Sequence, residues 1–187
     1  MAPFYTIVIG GNHEDLVFLG SMYKLILLIN HCRPDGGLLA HNIYYIGRSG
    51  FVNFKGKIIG GISGTYSKYK FASLPSNCDH YYRNSDFNKI QQNLKDVDIF
   101  ISHDWPQNIA HYGKLDDLLK VKSFLRREIF SGEFGSPPLF RLLHEMKPKY
   151  WFSAHMHIFY EAYYGPTRFI ALNKKTFHEG WSYSIYL

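Results

Sequence analysis

The chain has 187 residues, 46% of them hydrophobic and 18% aromatic, so it is long and apolar enough for one packed domain and is not of the disordered class. Lys and Arg number 21 against 15 Asp and Glu, a formal charge of +6, which suits a polyanionic partner. Cys32 and Cys78 form no CxxC pair, so free thiols of a reducing compartment are expected, and neither a disulfide framework nor a zinc knuckle.

Thr6 to Ile9 reads as a short buried strand that delivers Gly10-Gly11-Asn12-His13-Glu14. The two glycines allow a sharp turn, and the loop then presents an amide, an imidazole and a carboxylate together. That trio suits a metal or a proton transfer. It equally suits a helix start, with Asn12 as N-cap and Glu14 in the first turn. Glu14 to Asn30 has the helical spacing, with Leu16, Leu19, Tyr23, Ile26 and Leu27 on one face. The apolar run from Leu16 to Ile29 is short and interrupted by Ser21 and Lys24, so no membrane span is expected. The first residues hold no basic stretch and no small-residue cleavage site, so no secretory signal is expected either.

Pro34-Asp35-Gly36-Gly37 is a loop by composition. Asn42 to Gly47, Gly50 to Phe54 and Lys57 to Gly64 read as strands, the last two joined as an antiparallel hairpin through Lys55-Gly56. Residues 65–83 have no period. They mix Lys68, Lys70, His80 and Arg83 with Tyr66, Tyr69, Phe71, Tyr81 and Tyr82. Such a loop offers charges for phosphates and rings for bases, or is a solvated loop pinned by a few aromatics.

Ser85 to Leu94 is predicted as a helix, and Val97 to Ile101 as a buried strand ending in Ser102-His103-Asp104-Trp105-Pro106. Leu115 to Ile129 and Leu139 to Met146 are further helices, the second opened by Pro137-Pro138 and stopped by Pro148. Tyr150 to Ala154 is a strand leading to His155-Met156-His157; Thr167 to Leu172 and Trp181 to Tyr186 complete the series. Trp105 and Trp151 read as core or wall residues.

Strands alternating with helices give a layered α/β fold whose strand ends share one edge, where ligand sites gather. Here three strands end in histidine-bearing loops: Asn12-His13, His103-Asp104 and His155-Met156-His157. If the last segment is extended, its two histidines point the same way and suit adjacent metal positions.

Taken together, GGNHE, IYYIG, IGGISG, DIFISHDWP, the His111 to Gly113 triplet and KPKYWFSAHMHI resemble the RNA lariat debranching enzymes, a branch of the calcineurin-like metallophosphoesterases. GNHE and a late HxH belong to the wider superfamily, whereas SHDWP, GGISG and KPKYWFSAH are specific to debranching enzymes. The likeness runs from about Tyr5 to Leu172. It implies a metallophosphoesterase-type β-sandwich flanked by helices, here as a partial domain over residues 1–187 with a lariat-recognition loop at 65–83.

The resemblance further implies hydrolysis of the 2′–5′ phosphodiester at the branch point of excised intron lariats. Asn12, His103 and His155 match metal ligands, His157 a ligand of the neighbouring metal position, and His13 the histidine that protonates the leaving 2′-oxygen or holds the phosphate. Asp104 and Ser102 are candidates to orient His103. Lys68, Tyr69, Lys70, Tyr82 and Arg83 are candidate RNA contacts, although His80 to Arg83 matches the family's tyrosine-histidine-x-arginine only loosely. By resemblance the protein is a nuclear monomer, with some shuttling to the cytoplasm, and its partner is lariat RNA. Two earlier family motifs that supply metal ligands, including a bridging aspartate, do not occur in this sequence, so a truncated or natural short form is expected. The donors that remain are neutral and suit Zn²⁺ or Fe²⁺ better than Mg²⁺, and the cofactor expected is a divalent Fe²⁺, Zn²⁺ or Mn²⁺ ion. Two other readings stay open: a non-catalytic remnant that binds branched or single-stranded RNA, and a phosphoesterase acting on other nucleic acids or nucleotides.

Overall fold

A computed structural model describes residues 4–13, 36–73, 80–94 and 96–174. Two sheets organise it. The smaller contains β1 (Thr6–Val8), β2 (Gly37–Ala40) and β3 (Ile43–Tyr45), in the order β1-β3-β2. The larger contains β4 (Ser49–Phe54), β5 (Lys57–Ile62), β6 (Ile99–Ser102), β7 (Tyr150–Ser153), β8 (Tyr160–Tyr164) and β9 (Thr167–Ala171), in the order β4-β5-β6-β7-β9-β8. Its inner strands β5, β6, β7 and β9 run parallel, and an antiparallel strand closes each edge.

The alternation of side chains along a strand decides what each face of the larger sheet meets. Ile62, Phe100, Trp151 and Phe169 point to one face and join Phe87, Ile90, Leu118, Ile129 and Leu142. Those partners lie on α1 (Asn84–Gln91), α2 (Leu115–Val121), α3 (Arg126–Ser131) and α4 (Pro137–Met146). Ile59, Ile99, Ile101 and Phe152 point to the other face and meet Ile7, Ile9 and Ile46 of the smaller sheet and its exits. Because both faces are covered, these strands read as nearly continuous apolar runs. The result is a layered α/β fold: helices, a six-stranded sheet, then a three-stranded sheet.

The hairpin through Lys55-Gly56 forms as read, with Asn53 paired to Ile58 and Phe54 to Lys57. Ser136 caps α4, its side chain accepting from the Leu139 amide at 3.2 Å. The helix expected over Leu115 to Ile129 is instead three pieces: α2, a 3₁₀ turn at Ser123–Leu125, and α3. Lys122 leaves helical geometry, at φ −122° and ψ 55°, and the break lets both Leu118 and Leu125 reach the core. Strands β2 and β8 carry no strong pattern in the sequence and are stabilised by pairing, β8 through the Gly165-Pro166 turn to β9. The expected helix from Glu14 to Asn30, the strand from Trp181 to Tyr186 and both cysteines lie outside the described residues. Among the described residues no helix is long and apolar enough to cross a membrane.

The parallel strands and β1 share one edge at their C-terminal ends. Gly64 follows β5 and donates its amide to the Gly10 carbonyl after β1, at 2.8 Å. Ser63 reinforces that joint: its hydroxyl accepts from the Gly10 amide at 3.0 Å and donates to the Gly47 carbonyl at 2.6 Å. Gly64 has φ +90°, and a Cβ there would sit 1.9 Å from the His80 carbonyl oxygen. Gly64→Ala is therefore expected to destabilise the fold by more than about 1 kcal/mol, read as a lower denaturation midpoint in urea.

Candidate metal centre

Three donor atoms from three strand ends converge on this edge. His103 Nε2 lies 2.8 Å from Asn12 Oδ1 and 3.1 Å from His155 Nδ1. The two imidazole centroids are 4.9 Å apart and the rings are tilted by 57°. A single ring nitrogen this close to two donors has at most one proton to share, whichever tautomer is present. Ligands at about 2.1 Å from one divalent ion, separated by about 90–110°, lie about 3.0–3.4 Å apart. The His103–His155 spacing lies within that range and the Asn12–His103 spacing 0.2 Å below it, so a slight outward shift of the Asn12 amide lets the three donors share one cation. Among the described residues no three His, Cys, Asp or Glu side chains are assembled to hold a metal; the third donor here is an amide oxygen.

The backbone that aims these groups is tightly held. After β6, the Asp104 carbonyl accepts from Ser102 Oγ at 2.7 Å and from Ser153 Oγ at 3.0 Å. Trp151 Nε1 donates to Ser102 Oγ at 2.9 Å. Across the gap, the Ala154 amide donates to the His103 carbonyl at 3.1 Å, and Trp105 Nε1 donates to the Ala154 carbonyl at 2.8 Å. Trp105 and Trp151 are thus both fully buried core residues and the donors that tie the His103 loop to the His155 loop.

The segment after β7 is not extended as the spacing suggested. The Met156 amide donates back to the Ala154 carbonyl at 2.7 Å, which makes His155 the centre of a three-residue turn at φ +62°. His157 is also left-handed, at φ +49°. That γ-turn geometry is rare and strained, and such strain gathers at functional sites. The two histidines consequently part: His155 meets His103, while His157 is exposed and is not among the converging donors.

Asp104 does not orient the His103 ring. Its carboxylate accepts from the Tyr66 amide at 3.0 Å and the Trp105 amide at 2.9 Å. Burial pushes its pKa up, against the pull of those amides and of His155. Burial also pushes the His155 pKa down, opposed by Asp104 and reinforced by His157, His13 and His80. His13 is exposed next to Asn12, and it and His80, one of the loop residues named from the sequence, act electrostatically on His155.

The loop residues divide. Lys68, Tyr69 and Lys70 are exposed, with Lys68 Nζ 5.1 Å from the Tyr69 ring centroid. Tyr82 and Arg83 are buried, which removes them from an RNA-facing surface. The Tyr82 hydroxyl hydrogen-bonds with Ser136 Oγ inside the core, and burial drives its pKa well up. Arg83 donates from its guanidinium to the Tyr81 carbonyl at 2.8 Å, and its amide meets Asp86 at 2.8 Å to open α1. No apolar or helical period marks these two as structural, so the loop's mix of cations and rings and its likeness to the family's recognition loop grouped them with the RNA contacts.

The chain is 40% identical over 194 residues to the lariat debranching enzyme of Gallus gallus, covering 92% of this chain and 34% of that protein. It is 40% identical to that of Homo sapiens, with 86% and 29% covered, and 40% identical to that of Schizosaccharomyces pombe, with 83% and 34% covered. The chain thus spans about a third of the length of these curated relatives. The crystal structure of TT1561 of Thermus thermophilus shares the fold, at a TM-score of 0.56 and 14% identity, over 90% of this chain and 63% of that one. No protein-family model matches the chain.

Ser102→Ala would leave the buried Trp151 N–H without its acceptor. It should cost about 1–3 kcal/mol in urea unfolding and shift the His103 and His155 imidazole resonances in NMR spectra.

Proposed function

We propose that this chain, a relative of the lariat debranching enzymes, is a divalent-metal-dependent phosphodiesterase that hydrolyses the 2′–5′ linkage of branched intron RNA. The observation that supports this most is the convergence of Asn12 Oδ1, His103 Nε2 and His155 Nδ1 at the edge where His13 stands. Asn12, His103 and His155 would hold the ion, and His157 would face a neighbouring position. Bound there, Fe²⁺, Zn²⁺ or Mn²⁺ supplies a Lewis acid for the phosphoryl oxygen and lowers the pKa of water.

The chain's own groups do the rest. Burial favours neutral His155, the form with a lone pair to donate. His13 is exposed and can enter the substrate's path, where its ring N–H gives a proton to the 2′-oxygen as the P–O bond breaks. Lys68, Tyr69 and Lys70 offer two cations and a ring to the phosphates and bases flanking the branch. This reading puts the protein with excised introns, as a nuclear monomer that also shuttles to the cytoplasm.

A second reading is favoured by the donor set itself. The three converging donors are all neutral, and the Asp104 carboxylate is turned to backbone amides. Hard cations prefer anionic oxygen, so a chain with these donors alone could bind branched RNA without cutting it.

A short synthetic 2′–5′ branched RNA separates the two. Under the first reading, Fe²⁺, Zn²⁺ or Mn²⁺ supports cleavage, and a chelator abolishes it. His13→Ala then lowers kcat by about 10²–10⁴-fold with metal affinity unchanged. Binding without cleavage by a folded sample overturns it in favour of the second. Asn12→Ala should weaken Mn²⁺ or Zn²⁺ binding, measured by calorimetry, at least about tenfold, because a donor is lost.

A further inference from the structure

Away from the site, α3 and the turn before it show an arrangement that the core does not require. Leu125 and Ile129 turn inward and are 4% and 2% exposed. On the outer side Phe124 is 71% and Phe130 62% exposed, and Val121 beside them is 67% exposed. Isolated exposed apolar side chains are ordinary, but three large ones exposed within ten residues, Val121, Phe124 and Phe130, mark a contact surface.

Cations interleave with those rings. Arg127 lies three residues from each phenylalanine, so it falls between them on the helical surface. Lys122 Nζ stands 6.0 Å from the Phe124 centroid, and the Arg126 guanidinium 5.9 Å from the Phe130 centroid. Lys120 pairs with Asp117, whereas no ion pair among the described residues engages Lys122, Arg126 or Arg127. The stripe therefore sets two exposed rings beside three cations, Lys122, Arg126 and Arg127, against one exposed carboxylate, Glu128. Rings stack on bases and cations track phosphates, which is the composition a single-stranded polyanion with flat bases selects.

The stripe is also connected to the strand-end site. The Phe130 ring is 6.3 Å from that of His111, in the loop that continues from His103. Gln107 Nε2 donates to the Gly132 carbonyl at the end of α3, and the Phe134 ring lies 5.6 Å from that of Trp105. Trp105 is the residue that holds the Ala154 carbonyl beside His155.

We infer that Phe124, Arg127 and Phe130, with Lys122 and Arg126, form a second RNA-binding surface that grips a single-stranded arm of the branched substrate. This rests on the branched-RNA reading for its choice of substrate. The surface contributes none of the donors that converge at the strand ends. It therefore governs how well long-armed substrates bind and leaves the chemical step alone.

The test uses the 187-residue chain, a Phe124→Ser/Phe130→Ser variant and an Arg126→Glu/Arg127→Glu variant, all exposed positions where folding is checked by circular dichroism. Fluorescence anisotropy with a linear single-stranded RNA of about 15 nucleotides should show Kd rising about five- to tenfold per ring lost. The arginine variant should also show a shallower salt dependence. Cleavage of a branched RNA with long arms should show KM rising with kcat unchanged, and a branched trinucleotide should be unaffected.

If no chain cleaves either substrate but linear RNA binding still falls in both variants, the branched-RNA chemistry fails while this surface stands. Unchanged linear RNA binding in both variants overturns it. So does a concentration-dependent dimer, seen by analytical ultracentrifugation, that the variants abolish without changing RNA binding, since the stripe would then be a protein contact.

Discussion

The hydrogen bond from the Gly64 amide to the Gly10 carbonyl is the constraint on which the rest depends. It joins the exit of β1, in the small sheet, to the exit of β5, in the large one. With the Ser63 bonds and the isoleucine packing between the sheets, that joint fixes Asn12 relative to His103, which comes from the other sheet and is 91 residues away. Positions without a side chain let the two sheets pack closely here. A Cβ on Gly61 would already lie 3.0 Å from both Ile9 and Ile46, so the glycines of the β5 segment set how near the sheets come.

From that joint outward, the site is held by backbone fixation more than by contacts to its rings. The Ser102, Ser153, Trp151 and Trp105 bonds all end on main-chain carbonyls or on one another, and together they set where His103 and His155 emerge. This division has a physical merit. A metal-binding imidazole needs its nitrogen lone pair free, so the rigidity that preorganises it is better supplied through the chain than through that nitrogen. The left-handed backbone at His155 shows the same priority: local strain is accepted because Ala154 is held from both sides, by His103 and by Trp105.

The electrostatics follow from the same layout. Asp104 is the buried carboxylate beside the site, yet it is engaged by two amides, which leaves the converging donors neutral. Basic and aromatic residues are exposed on two segments, Lys68 to Lys70 on one loop and Lys122 to Phe130 on the helical layer. A positive chain with a neutral donor set fits a polyanionic partner whose own charge accompanies it to the site.

The sequence by itself determined which residues could form the site and which strands would deliver them. Thr6 to Val8, Ile99 to Ser102 and Tyr150 to Ser153 were legible because each is a short β-rich run that ends abruptly in polar residues, a local signal. Asn12, His103 and His155 stood out as donor types at those strand ends, while their choice as a ligand set came from the resemblance to the debranching enzymes. Only the tertiary structure decided which of them meet, since contact across 52 and 91 residues depends on strand order and register. It separated His157 from His155, because the turn at Met156 depends on a carbonyl held by distant Trp105. It turned Tyr82 inward, because its partner Ser136 arrives from an element 54 residues later, and it buried Arg83 at the start of α1, where Asp86 accepts the Arg83 amide. And it left Phe124 and Phe130 outside, because the break at Lys122 rotates the next helix so that Leu125 and Ile129 take the core positions. Local sequence fixes what a residue can do; long-range packing fixes what it touches.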